Sequence, residues 1–177
     1  MIIHLVLIPA RADGLQAVLK PLHMRYAQRV NRARGWAGHL WQGRFFSSPL
    51  DDQYLWAAIR YVERNPVRAK LVRQAEQYPW SSAAAHCGAI PAAGLLCREP
   101  RWLKQCAQIR DWSAWLAAGD DAKELALLRR NSDKGLPCGA ATFIKKLERL
   151  AGRILRYRPP HRPKKAPTPE ATYDKKR

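Results

Sequence analysis

The sequence predicts an α+β chain with one apolar strand near its start and helices over most of the rest. Three observations carry that prediction. The run His4-Leu-Val-Leu-Ile8, closed by Pro9, is leucine-rich and β-branched, so residues 3–8 read as a strand buried on both faces. Apolar residues then recur at helical spacing in several stretches. Helix-start and helix-stop residues punctuate those stretches where they should. The 177 residues suit one domain, or a small domain with an extension.

The elements follow in order. Asp13 signals a helix start, and a helix is expected from about Gly14 to Arg32, with a bend at Pro21. Leu15, Val18, Leu19, Leu22 and Tyr26 form its apolar stripe. Arg25, Arg29, Arg32 and Arg34 line much of the remaining surface. Gly35 to Ser48, with its Gly, Trp, His, Arg and Phe, reads as a loop with short extended pieces. Asp51 and Asp52 open a second helix that runs to about Glu63, with Leu55, Ile59 and Val62 facing inward. Asn65-Pro66 stops it, because the residue before a proline disfavours the α region. Residues 83–97 are rich in Ala and Gly and weakly patterned. Residues 99–130 read as helices packed through Trp102, Trp112, Trp115, Leu116, Leu125 and Leu128, and residues 140–156 as a Lys- and Arg-rich helix. The Pro- and Lys-rich segment 158–177 has the composition of a disordered tail. The expected division is 1–85, 86–157 and 158–177.

Composition narrows the partners. The formal net charge is +18, an excess that favours polyanions and is silent about fold. With 47% hydrophobic residues, the chain is no simple polycation and can bury a core. Seven Trp, six Tyr and three Phe are interleaved with arginine, a mixture suited to single-stranded nucleic acid, whose bases stack on aromatic rings. Cys87, Cys97, Cys106 and Cys138 include no CxxC pair of the kind zinc sites use, and they read as reduced thiols in a cytoplasmic protein. The run 4–8 lacks a basic leader and is too short for a signal peptide or a membrane span.

Two sets of residues carry chemistry. His4 lies inside the strand, where a lone histidine is more often a hydrogen-bonded core residue than a ligand. Tyr61 and Asn65 are four apart and share one helical face. At that place a tyrosine serves core packing, helix-end packing or nucleophilic attack, and spacing alone does not choose among them.

The order of the short motifs does discriminate. His4-Leu-Val-Leu-Ile-Pro-Ala-Arg-Ala-Asp-Gly-Leu15 is followed by Arg25-Tyr-Ala27 and Val30-Asn-Arg32. Then come Gly38-His-Leu-Trp-Gln-Gly-Arg-Phe45, Arg60-Tyr-Val-Glu-Arg-Asn-Pro-Val-Arg-Ala69 and Tyr78-Pro-Trp-Ser-Ser82. In these words the chain resembles the HUH single-tyrosine transposases, in particular the REP-associated tyrosine transposases. The likeness covers most of residues 4–82 and is patchier beyond, where Gly135-Leu-Pro-Cys-Gly139, Phe143, Leu147-Glu148, Gly152-Arg153 and Arg162-Pro-Lys-Lys165 resemble a frequent C-terminal extension.

The resemblance implies a ferredoxin-like HUH domain followed by a mostly helical extension. It implies a tyrosine that attacks a phosphodiester of single-stranded DNA and forms a 5′-phosphotyrosine, dividing one difficult displacement into two. A divalent metal, Mg or Mn, polarises the phosphate. A His-hydrophobic-His pair on one strand holds that metal, since residues i and i+2 point the same way. Carried over by position, Tyr61 is the nucleophile, His4 the second histidine and Asn65 the third ligand. The partner implied is DNA, in the form of single-stranded hairpins, with Arg25, Arg29, Arg32, Arg44, Trp41, Arg64, Arg68 and Lys70 as contacts. A run of charge is ordinarily a solvated face; the overall excess favours phosphate contact and steep salt dependence. Trp80 fits packing and base stacking equally. Pro159-Pro-His-Arg-Pro-Lys-Lys165 resembles a basic minor-groove arm, with a flexible polycationic tail as the alternative.

The chain departs from the family pattern at Ile2, which stands where the first histidine belongs. The strand, helix and strand that precede the motif in the family have no counterpart before Met1. The expectation is therefore a truncated domain with poor metal binding and impaired cleavage. A homodimer that completes the sheet in trans is one outcome, and a decayed gene fragment is the other. His23 and His39 are candidate substitutes for the lost ligand, though a loop histidine making hydrogen bonds is the simpler reading. The alternatives in function are a non-catalytic DNA-binding regulator and an RNA-binding protein. The second fits the charge but not the motif order.

Overall fold

A computed structural model describes residues 3–91, 94 and 96–159. Ile2 and the segment 160–177, which holds most of the expected minor-groove arm and tail, lie outside the described residues. Eight α-helices are described: α1 (Gly14–Arg34), α2 (Asp52–Glu63), α3 (Asn65–Arg68), α4 (Ala83–His86), α5 (Pro100–Cys106), α6 (Trp112–Ala117), α7 (Ala122–Ser132) and α8 (Ala141–Ala151), with a 3-10 turn at Ala75–Gln77.

The expected α+β, ferredoxin-like fold is not what forms: the described chain is helical, and no sheet occurs in it. Residues 3–8 form no strand, and the isolated β-bridge among the described residues joins Leu50 to Cys138 in parallel. The physical reason lies in what surrounds the segment. A strand buried on both faces needs neighbours to take its backbone hydrogen bonds, and the chain downstream supplies helices. His4 and Val6 are half-buried, with Val6 packed on the core, while Ile3, Leu5, Leu7 and Ile8 remain exposed.

Helix α2 organises the interior. The Asp51 carboxylate caps its start by accepting from Tyr54 N at 2.9 Å. Ile59 faces a cluster formed with Ala75, Ala83, Trp102, Trp112 and Leu116. Ala58, on the other side, packs with Leu128 and Cys138. Four tryptophans fill the first cluster: Trp56 stacks on Trp102 at 5.5 Å, and Trp112 and Trp115 meet at 5.1 Å. The core is thus shared between α2 and the helices α5 to α7 that follow it.

A clasp closes the α2 end of this body. Cys138 N donates to Pro49 O at 2.8 Å, Asp51 N donates to Cys138 O at 3.1 Å, and Ala140 N donates to the Asp51 carboxylate at 2.6 Å. Gly139 fits because it has no side chain: a Cβ there would lie 2.4 Å from the Phe143 ring and 2.7 Å from an Asp51 oxygen.

Helix α1 is one continuous helix through Pro21 and ends at Gly35, whose φ of 63° gives a left-handed cap. At 21 residues it is about 31 Å long. Its sequence stripe is largely uncovered: Leu19 is buried, whereas Val18, Leu22 and Tyr26 are exposed.

Candidate nucleic-acid interface and tyrosine centre

Two sets of sequence-nominated residues separate in space. The first lies on α1 and the loop behind it. Arg25, Arg29 and Arg32 are spaced i, i+4, i+7, so they share one face, and all three are exposed. Lys20 and Arg34 add to them, and the helix contains no acidic residue. The loop 35–48 returns along this helix through aromatic contacts. Trp41 stacks on His23 with ring centroids 4.5 Å apart, leans on Tyr26 at 5.7 Å, and donates from Nε1 to His23 O at 3.1 Å. Asn31 Nδ2 donates to Gly38 O at 3.0 Å and pins the loop's start. Trp41 is therefore half-buried and positions the loop, while Arg44 and His39 are exposed on it. Trp36 is exposed, with the Arg34 guanidinium 5.6 Å from its ring. Trp80 is 85% exposed, so of its two readings packing is the one it does not follow.

The second set surrounds Tyr61. His4 and Tyr61, 57 positions apart in sequence, meet edge to face at 5.5 Å. The Arg68 guanidinium lies over the other part of the same ring at 4.3 Å and donates to the Tyr61 carbonyl. Burial pushes the His4 imidazole below its ordinary 6.5, and the positive charge of Arg68 pushes it the same way. Arg64 and Arg68 are half-buried rather than exposed. Both donate to Asp120 Oδ2, at 3.1 and 3.0 Å, and Arg64 also holds the Leu116 carbonyl. Lys70 is exposed and adopts a left-handed φ of 58°. Asn65 begins α3, half-buried.

The fit of a divalent metal here is poor. Among the described residues no group of three or more His, Cys, Asp or Glu side chains converges on one point. His4 is one imidazole with a guanidinium beside it, and a fixed cation opposes a second one. The geometry offers a phenol, a neutral imidazole edge and a cluster of arginines.

Sequence reasoning missed one buried constellation. Glu63 is 1% exposed, and its carboxylate accepts from Ser82 Oγ at 2.5 Å and Trp112 Nε1 at 2.7 Å, with His86 Nδ1 at 2.6 Å. The three partners come from 19 to 49 positions away. Both Ser82 and His86 point at the same carboxylate, so they form a structural hub rather than a relay from serine to histidine. The only sequence signal was an acid placed on the inward side of an amphipathic helix.

The thiols agree with a structural role. All four cysteines are free; Cys138 is fully buried, and burial holds the Cys106 thiol up at about 11. No helix among the described residues is long and apolar enough to cross a membrane. No protein-family model, curated protein or solved structure matches this chain.

Proposed function

We propose that the chain is a DNA-binding protein of the transposase type, which takes single-stranded DNA hairpins on the arginine face of α1 and its loop, with strand cleavage impaired. One observation carries the reading. His4 and Tyr61, nominated together by the order of motifs, lie ring against ring beside an arginine cluster. The impairment rests on His4, which stands near a guanidinium whose charge opposes a second cation. Binding needs only the exposed cations of α1 and is dominated by the phosphate backbone. The poor metal fit favours the second reading as well, a regulator that binds the same hairpins with no chemistry.

The deciding experiment mixes the protein with a labelled hairpin oligodeoxynucleotide and magnesium or manganese, with Tyr61→Phe in parallel. Salt-sensitive binding with no denaturation-resistant adduct is expected from both proteins. An adduct that Tyr61→Phe abolishes would refute impaired cleavage. Preference for structured RNA over the hairpin would refute the DNA reading.

A further inference from the structure

Asp120 reaches the tyrosine centre from the turn between α6 and α7. It is 12% exposed, and one of its oxygens, Oδ2, receives both the Arg64 Nε and the Arg68 Nη1. The guanidinium fork fits carboxylate and phosphate with the same geometry. Donor capacity is left over: the Nε atoms of Arg60 and Arg68 are buried without a hydrogen-bond partner among the described residues. A phosphodiester brings more acceptor oxygens than the single one Asp120 uses.

We propose that Asp120 is a latch occupying a phosphate seat, and that DNA entering at Tyr61 exchanges this carboxylate for a backbone phosphate on Arg64 and Arg68. The inference rests on the DNA-binding reading above. Beside the seat, the cleft lined by Arg60, Tyr61, Asp120 and Glu124 offers only about 10 Å³, room for about one water, so a phosphate does not fit there while Asp120 stays in place. The hinge is at hand in Gly119, whose φ of 90° is open to glycine and strained for other residues. Arg60 donates to the Gly119 carbonyl at 3.1 Å, so the arginines hold the backbone of the turn as well as its carboxylate, while Arg64 also holds the Leu116 carbonyl near the end of α6. Lifting the turn frees them together. Asp121 stays behind, because its carboxylate caps α7 by accepting from Lys123 N and Glu124 N.

The test compares wild type, Asp120→Asn and Asp121→Asn for hairpin binding over a range of salt. Asp121→Asn changes the net charge equally but touches neither arginine. The seated phosphate contributes about 0.7 to the logarithmic salt slope in wild type and Asp120→Asn alike. Asp120→Asn is expected to bind roughly tenfold more tightly than wild type at moderate salt, since no latch has to be displaced, and Asp121→Asn to gain far less. Adding Arg68→Gln to Asp120→Asn should remove about half of the gain. Equal affinities for Asp120→Asn and Asp121→Asn overturn the latch and leave hairpin binding intact. No binding by wild type at low salt overturns both readings. Should Asp120→Asn fail to fold, the arginine Nε–H resonances of wild type decide. Movement of the Arg64 signal on adding hairpin supports the exchange, and a stationary signal overturns it.

Discussion

Helices α1 and α2 both carry an apolar stripe and lead into arginines near their C-terminal ends, and they end in opposite situations. The 12 residues of α2 bury Ala58, Ile59 and Glu63, while the 21 residues of α1 bury Leu19 alone. The arginines in α2 and just after it finish on protein acceptors: Arg60 on a carbonyl, Arg64 and, in α3, Arg68 on Asp120. Those of α1 face solvent. The difference teaches that the role of an arginine here follows from what the rest of the chain delivers to it. Helices α5 to α7 bring tryptophans and an acid to α2, and no comparable layer covers α1. Stability is concentrated on α2, and the charge available to a polyanion is concentrated on α1.

The strongest way to break that contrast is to remove the α2 hub. Glu63→Ala leaves the buried indole of Trp112 and the part-buried Ser82 and His86 without their shared acceptor. A loss of about 3 kcal/mol or more is expected, read as a lower urea midpoint at constant slope. An unmoved midpoint would mean that the hub does not hold α2 to α4 and α6. Next in size is Gly139→Ala, which drives a methyl into Asp51 and Phe143 and loosens the cap of α2. Overpacking of this kind costs about 1–3 kcal/mol, and an unchanged melting temperature would show that the clasp is soft.

Substitutions on α1 sharpen the contrast from the other side. Arg25, Arg29 and Arg32 changed together to Gln should alter stability by less than about 0.5 kcal/mol, as exposed positions do. The same triple change should flatten the salt dependence of hairpin binding by about 2 on the logarithmic scale. Fluorescence anisotropy over a salt series measures it. A marked loss of stability with unchanged binding would reverse the roles assigned to the two helices.

The longer helices were legible in the sequence; the one-turn helices α3 and α4 were not, and Asn65, expected to leave the α region before Pro66, opens α3. Asp51, the Asn65-Pro66 break and the tryptophan spacing in 99–130 put α2 and α5 to α7 close to where they lie. Local signals sufficed because caps, breakers and periodicity act over a few residues. What depended on distant partners was not legible. Residues 3–8 have the composition of a buried strand, yet composition does not supply a neighbouring strand, and the segment stays half exposed. Arg64 and Arg68 read as surface cations because Asp120 lies more than 50 positions away. Glu63 gave no hint of Ser82, His86 and Trp112 for the same reason. His4 and Tyr61 were paired only through the order of motifs, and no propensity argument would have joined them.

His4 provides the smallest test, and it probes how the N-terminal segment is tied to α2. Its proton affinity is lowered in the folded chain by burial and by Arg68, from an ordinary 6.5. The folded state therefore binds this proton less readily than the unfolded state. Above 6.5 neither state holds the proton, and the contribution of His4 is complete. As pH falls below 6.5 the unfolded chain gains the proton first, so stability declines until the folded pKa is passed and levels off beneath it. His4→Phe keeps an aromatic edge against Tyr61 and cannot titrate. Urea midpoints of the two proteins should run parallel above pH 6.5 and diverge below it, with wild type falling the faster. Parallel curves throughout would mean that His4 is as solvated as a histidine in the unfolded chain. In that case the segment 3–8 would be tied to α2 through Val6 alone.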